Sequence, residues 1–203
     1  MLTVEEQLRR LVQIRAGGAV ERCHGIPHAG SYDNGSHQWG VAMLMWILWP
    51  EDFARLVIYC LTHDVPEAWV GDIPATTKRY DPGVRGGVER LERAISYDLG
   101  LPYENDLSPD DWAKLKACDS LELYIWCVEQ ANLGNINVRD IITQLERFFE
   151  HRPLPPRAAE FHAAISHNRL AVLPRRAGVI EDLCENLSSP APEPASQPEE
   201  SVN

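Results

Sequence analysis

The chain has 203 residues, of which 44% are hydrophobic, and it carries a net charge of −11. This length and composition predict one globular domain with a sizeable core. The acidic balance argues against binding a nucleic-acid polymer, because such proteins normally present a basic face. The longest apolar run, Trp39 to Trp49, is too short to span a bilayer. Five scattered cysteines without a CxxC pair suit reduced thiols, so we expect a cytoplasmic protein that does not associate with membranes.

Apolar residues recur at helical spacing along most of the chain, and no run of alternating residues indicates a sheet. The first helix should end at Gly17-Gly18, and Ser108-Pro109 is typical of a helix start. The Pro/Glu/Ser-rich stretch 188–203 cannot bury enough apolar surface to fold, which leaves 1–187 as the domain. The sequence therefore predicts an all-α fold, with helices at about 3–16, 36–49, 53–61, 65–70, 84–99, 109–132, 136–150, 156–170 and 177–187.

Three of these helices carry ionisable side chains where an apolar residue is expected. His37 lies at the top of the apolar stripe of the second helix, and Asp119 lies four residues from both Leu115 and Leu123. His63 and Asp64 follow directly after the apolar run 53–61, which should be a buried helix. A carboxylate in such a place needs a cation or donors, because burying it unpaired costs several kcal/mol.

Each of these positions also has an ordinary structural explanation. Either histidine could be a hydrogen-bonded core residue, and Asp64 with Glu67 fits a capping box that opens the next helix. Asp119 could pair with Lys116, three residues earlier on the same helix. Taken together, however, two imidazoles and two carboxylates form a set whose charge would balance a divalent ion. Such a set suits Mn, Fe, Co, Ni or Zn, and an ion held there would lower the pKa of a bound water towards ~7.

The order His37, His63-Asp64, Asp119 resembles the H…HD…D signature of the HD-domain phosphohydrolases. Within them the chain looks most like the small bacterial 5′-deoxynucleotidases and related phage deoxynucleoside triphosphate hydrolases. Three blocks between about residues 22 and 134 carry the resemblance. They are Arg22, fifteen residues before His37, then HDVPEAWVGDIPATTK and KLKACDSLELYIWCVEQ.

The resemblance implies an HD-domain helical bundle with a metal site between the core helices. One divalent transition metal would be bound there, and the implied ligands are His37, His63, Asp64 and Asp119. Glu67 would be the general acid or base, or the carboxylate that orients the water. Asp72 would bind or orient the substrate, although a residue after Gly71 could also serve only the turn.

Four further residues are candidates for substrate contacts. Arg22 and Lys78 would hold the phosphate, and Thr76 lies in a predicted loop, 75–79, of small residues, hydroxyls and bases. That loop could equally be a solvated turn. Cys23, followed by His24, stands where the deoxynucleotidases have a tryptophan at the sugar and base, and this departure leaves the choice of nucleoside open.

The predicted function is a metal-dependent hydrolase of deoxynucleoside 5′-phosphates that converts a monophosphate to a deoxynucleoside and phosphate. One alternative is a triphosphohydrolase that releases triphosphate from a dNTP and uses additional Mg²⁺. An alternative of another class is a catalytically silent HD module that acts as a regulator. The expected partner is a small nucleotide, and a homo-oligomer is an expectation from the resemblance alone.

Overall fold

A computed structural model describes residues 2–167, and within that range every regular element is helical. The prediction of an all-α fold is confirmed. None of the described helices combines the length and the apolar content needed to cross a bilayer. The predicted helix at 177–187 and the tail 188–203 lie outside the described residues.

The α-helices are α1 (Val4–Gly18), α2 (Asn34–Leu48), α3 (Phe53–Thr62), α4 (Glu67–Val70), α5 (Ala75–Tyr80), α6 (Pro82–Asp98), α7 (Pro109–Asn132), α8 (Arg139–His151) and α9 (Pro156–His167), with short 3₁₀ helices at Glu104–Asp106 and Ile136–Val138.

The core lies where α2 packs against both α3 and α7. Each of the three helices contributes side chains that solvent does not reach, and each such aliphatic side chain stabilises the fold by about 1.5–3 kcal/mol. Helix α7 starts where the sequence predicts, since the side chain of Ser108 accepts a hydrogen bond from the backbone of Asp111. The fully buried residues shared by this interface include Val41, Met45, Leu56, Cys60, Leu115, Cys118 and Leu121.

Three of the predicted boundaries and environments are wrong. Helix α2 begins at Asn34 because the side chain of Asp33 caps it by accepting from the backbone of Ser36. Helix α3 is amphipathic rather than buried throughout, with Leu56 fully buried and Leu61 41% exposed. The segment predicted as a loop at 75–79 is the short helix α5.

The close approach of α1 to the turn after α3 explains a fourth difference. Gly17 and Gly18 do not stop α1 but form its last residues. A Cβ atom on Gly17 would lie 2.6 Å from the Cα of Val65, so only glycine allows this contact. The end of α1 thereby supports the turn that carries His63 and Asp64.

Candidate metal centre

Three of the four predicted metal ligands converge on one point. His37 on α2, His63 after α3 and Asp119 on α7 each bring a ligand atom to within 4.8 Å of the others. His37 Nε2 lies 3.2 Å from Asp119 Oδ1, and His63 Nε2 lies 3.9 Å from the same oxygen. His37 is fully buried, and the side chain of His63 is 6% exposed. The imidazoles are therefore inside the core and face the same carboxylate.

Asp64 brings a fourth donor atom to this cluster. Its Oδ2 lies 3.3 Å from His63 Nε2 and 3.7 Å from His37 Nε2. The same oxygen accepts a hydrogen bond of 2.5 Å from Arg22 Nη1. The capping explanation for Asp64 is wrong, because Pro66 occupies the N-cap of α4 and no side chain caps that helix.

The imidazole nitrogens facing the cluster fit a metal. His63 Nδ1 lies 3.0 Å from the carbonyl oxygen of Cys60, and since a carbonyl can only accept, Nδ1 must be the donor. In a neutral ring this leaves the lone pair on Nε2. The Nε2 atoms of both His37 and His63 are buried and have no hydrogen-bond partner in the described structure. Two buried imidazole nitrogens beside two carboxylates are the donor set that a divalent transition metal takes.

The charges of the cluster favour ionised carboxylates. Burial raises the pKa of Asp64, but His63 and Arg22 outweigh burial, so the net pKa is lowered. For Asp119, burial likewise acts to raise the pKa, and Lys116 with the two histidines brings it well below its ordinary value. The predicted ion pair of Lys116 with Asp119 is present at 3.4 Å and does not exclude the cluster.

His37 carries a proton more readily than an ordinary histidine in the metal-free protein. Burial and Arg22 lower its pKa, but the neighbouring carboxylates of Asp119 and Glu122 raise it to about 9. A metal ion at Nε2 would have to displace that proton, so metal binding at neutral pH should release it.

Glu67 is held by a residue that the sequence interpretation missed. Asn34 is fully buried, and its Nδ2 donates to Glu67 Oε2 at 2.8 Å while its Oδ1 accepts from Arg22 Nη1 at 2.9 Å. Asn34 precedes His37 by one helical turn, which places both on one face, but the sequence predicted a helix that began only at residue 36. Burial, reinforced by the charge of Asp64, raises the pKa of Glu67 to about 8.

The predicted substrate residues line one cavity of about 630 Å³ beside the cluster. Lys78 lies on α5, and its Nζ is 3.5 Å from Glu92 Oε1. The predicted residues that line this cavity are Arg22, Cys23, Asp64, Glu67, Asp72, Thr76, Lys78 and Asp119.

Asp72 supports the loop that carries Cys23. Its Oδ2 accepts the backbone N–H of Cys23 at 3.0 Å and lies 3.8 Å from His24 Nδ1. Cys23 has a φ of 52°, a left-handed conformation that is uncommon for residues other than glycine, and the hydrogen bond that its N–H donates to Asp72 helps to hold it. A contact of Asp72 with the substrate stays a prediction.

Two residues behind His37 were also missed by the sequence interpretation. Glu122 Oε2 contacts His37 Nδ1, and the hydroxyl of Tyr32 donates to the same oxygen at 2.6 Å. The available signal was the spacing of Glu122, three residues after Asp119, which places both on one face of α7.

Comparison with known proteins shows which family the chain resembles. The sequence profile of a family described as "5′-deoxynucleotidase YfbR-like" matches residues 20–168. A 5′-deoxynucleotidase from Photobacterium profundum is 29% identical over 114 residues, which cover 50% of this chain and 59% of that protein. The 5′-deoxynucleotidase YfbR of Salmonella typhi is 26% identical over 111 residues, covering 48% of this chain and 56% of that protein. The chain thus spans somewhat more than half the length of these curated relatives.

Solved structures show the same fold. The cyanophage S-2L HD phosphohydrolase DatZ, bound to dA and one catalytic Zn²⁺ ion, superposes with a TM-score of 0.60 at 16% identity. That alignment covers 84% of this chain and 98% of DatZ. An HD-domain phosphohydrolase from Listeria innocua superposes with a TM-score of 0.55 at 14% identity, covering 90% of this chain and 97% of that one.

Proposed function

The chain belongs to the YfbR-like 5′-deoxynucleotidase family, and from this premise we propose that it is a metal-dependent phosphohydrolase of deoxynucleoside 5′-monophosphates. The products are a deoxynucleoside and inorganic phosphate. The observation that carries the proposal is the pair of buried, unpartnered Nε2 atoms of His37 and His63, which face Asp119 and Asp64 at the edge of a cavity.

These four side chains would hold one divalent transition metal of the Mn to Zn series. When bound, such an ion supplies a water whose pKa is lowered towards ~7 and neutralises charge on the phosphoryl oxygens. The structure of DatZ contains a catalytic Zn²⁺ ion, which makes zinc the first metal to test in this chain.

The other residues of the cavity position and neutralise the substrate. Arg22 and Lys78 present cations to the same cavity, where they can hold the phosphate. Glu67 is buried beside Asp64 and has a pKa near neutrality, which suits a group that takes up and returns a proton. Asp72 and Cys23 shape the wall on which the sugar and base would rest, and Thr76 supplies a hydroxyl.

Phosphate release from a panel of dNMPs tests this proposal directly. The metal-loaded protein should release phosphate from at least one dNMP, and Glu67→Gln should abolish most of that release while the metal is retained. Background levels of phosphate release in both wild type and Glu67→Gln, with the metal bound, would instead support a silent HD module. Absence of release from both dNMP and dNTP panels would overturn the hydrolase proposal.

A second candidate function, release of triphosphate from a dNTP, is favoured by a second cavity of about 580 Å³. It shares Asp64 and Lys78 with the first cavity and adds the bases Arg79, Arg85 and Arg152. These cations could hold a polyphosphate tail, with additional Mg²⁺ on its oxygens. Under this function Arg79→Met should lower turnover of dNTP and leave that of dNMP unchanged, whereas equal effects on both would argue against it.

We also propose that the protein is a homo-oligomer of the cytoplasm that binds no nucleic-acid polymer. Trp39 and Trp46 lie seven residues apart on α2 and are 64% and 55% exposed, which is unusual for tryptophan on the surface of a monomer. Sedimentation equilibrium should give a multiple of the chain mass, and Trp46→Lys should lower it. A monomeric wild-type mass would contradict this proposal.

A further inference from the structure

The side of His37 that faces away from the metal cluster meets a carboxylate. Glu122 Oε2 contacts His37 Nδ1, and the side chain of Glu122 is only 14% exposed. The hydroxyl of Tyr32 donates to the same oxygen at 2.6 Å and lies 3.3 Å from His37 Nδ1. Tyr32 in turn stacks on Trp126, with ring centroids 4.3 Å apart and an interplanar angle of 10°. The His37 ring therefore has a fixed acceptor behind it.

Two carboxylates of one helix hold opposite edges of the ring. Asp119 and Glu122 are one turn apart on α7, and Asp119 Oδ1 lies 3.2 Å from His37 Nε2 while Glu122 contacts Nδ1. Asp119 is a proposed ligand of the metal, so with a metal bound Glu122 is the carboxylate that accepts from the ring. It would then keep the proton of a neutral His37 on Nδ1 and leave the lone pair of Nε2 for the metal.

Helix α2 leaves room for this carboxylate. Gly40 lies one turn after His37, and a Cβ atom there would come within 2.7 Å of Glu122 Cγ and 3.0 Å of Glu122 Oε1. Any side chain at this position would push Glu122 out of place. The absence of a side chain at Gly40 and the presence of Glu122 are therefore two parts of one arrangement.

We propose that Glu122, seated against Gly40 and fixed by Tyr32, is the positioning residue that selects the metal-binding tautomer of His37. The inference rests on the proposed metal site and adds to it a carboxylate–histidine pair. Partners of this kind orient the ring and make the ligand nitrogen more basic, and losing one lowers metal affinity by roughly 10- to 100-fold.

Zinc affinity, measured by competition with a chromophoric chelator, gives the first test. Glu122→Ala should weaken Zn²⁺ binding by roughly 10- to 100-fold. Glu122→Gln should lose less, because the amide oxygen can still accept from Nδ1. The matched control is Glu129→Ala, which removes a carboxylate seven residues further along α7 and should bind Zn²⁺ like wild type. Wild-type affinity in both Glu122 variants would overturn the proposal.

The tautomer itself is observable by NMR. Long-range ¹H–¹⁵N correlation in the zinc-loaded protein should show His37 protonated on Nδ1 in wild type. In Glu122→Ala that signal should broaden or shift as the proton loses its acceptor. Unchanged His37 nitrogen shifts would contradict a positioning role even if the affinity fell, because loss of packing alone would not alter the tautomer.

A double-mutant cycle with Gly40 separates positioning from folding. Gly40→Ala should weaken Zn²⁺ binding when Glu122 is present and have no further effect in Glu122→Ala, where the Cγ and carboxylate are gone. Additive effects of the two changes would overturn the proposal. If Glu122→Ala fails to fold, the Zn²⁺ affinities of Glu122→Gln and Tyr32→Phe are compared with that of wild type instead, and wild-type affinity in both would overturn the proposal. A wild-type protein that binds no metal would instead overturn the proposed function, which is a distinct outcome.

Discussion

The proposed metal ligands and the proposed substrate residues after α3 lie in two regions that are built differently. Helices α2, α3 and α7 pack side by side, and the proposed ligand His37 on α2 is not exposed at all. The segment 66–80 consists of two short helices joined by an irregular turn, and its last residue, Tyr80, is 95% exposed. Packing of apolar side chains fixes the first region, whereas in the second none of residues 68–80 is buried.

This difference predicts that metal binding and substrate handling can be damaged separately. Asp72 is connected to the loop before α2 by its hydrogen bond to the backbone of Cys23, and Lys78 is connected to α6 by Glu92. Neither of these two contacts involves a proposed metal ligand. Changes in the framework of α2, α3 and α7 should alter stability and metal content together, and changes in 66–80 should alter turnover with little effect on either.

The largest expected effect is the loss of a buried side chain from the framework. Leu56 is fully buried on α3, so Leu56→Ala should lower the free energy of unfolding by about 2–5 kcal/mol through lost contacts and a cavity. Tyr80→Ala, in the exposed segment, should stay within about 0.5 kcal/mol of wild type. Urea unfolding of the two variants measures both values, and similar losses would break the distinction between the regions.

The next effect is on catalysis without loss of metal. Glu67→Gln removes the carboxylate that is buried beside Asp64, and kcat should fall by ~10²-fold or more. Metal analysis of the same preparation should show the occupancy of wild type. A variant that keeps its kcat would assign the proton transfers elsewhere, and one that loses its metal would make Glu67 part of the metal site.

A smaller effect is expected on the binding of the substrate phosphate. Lys78→Met should raise KM by about 10-fold, since a hydrogen bond to a charged group contributes on the order of 1.5 kcal/mol. Arg93→Met, which removes an exposed base from α6, is the matched control. Steady-state kinetics with the preferred dNMP measure the change, and equal KM values for the two variants would remove Lys78 from the substrate site.

The last effect concerns the pH dependence of stability. Burial raises the pKa of Glu67 to about 8, whereas the unfolded chain has the ordinary value near 4.5. Between these values the native state binds more protons, so this carboxyl lowers stability as pH rises from about 5 to 8. The free energy of unfolding of metal-free Glu67→Gln should therefore rise relative to that of wild type across this range, by on the order of 1 kcal/mol per pH unit at most. Urea unfolding of both proteins at pH 5 and pH 8 measures this change. The same difference in free energy of unfolding between variant and wild type at both pH values would contradict the raised pKa of Glu67.

The candidate ligands could be selected from the sequence because each interrupts or directly follows an apolar pattern. His37 and Asp119 occupy positions that helical periodicity assigns to the core, and the resemblance to HD-domain proteins joined them to His63 and Asp64. The structure places these four residues together as expected. Long, strongly periodic helices such as α7 were likewise predicted with their correct boundaries.

The supporting residues were missed because their partners lie far away in the chain. Glu122 looks like an ordinary polar residue until His37, 85 positions earlier, is placed against it. Asn34 was assigned to a loop, since nothing local shows that it links Arg22 to Glu67. Gly17 looked like a helix stop because the close approach of Val65 is a tertiary contact.

Titration of the metal-free protein with Co²⁺, followed by visible absorption, tests the central claim most directly. Wild type should bind one Co²⁺ per chain and develop the spectrum of a nitrogen- and oxygen-ligated ion. His63→Ala should lose that stoichiometric binding, and Glu67→Gln should keep it. Stoichiometric Co²⁺ binding with an unchanged spectrum in His63→Ala, or none in wild type, would contradict a metal centre built from His37, His63, Asp64 and Asp119.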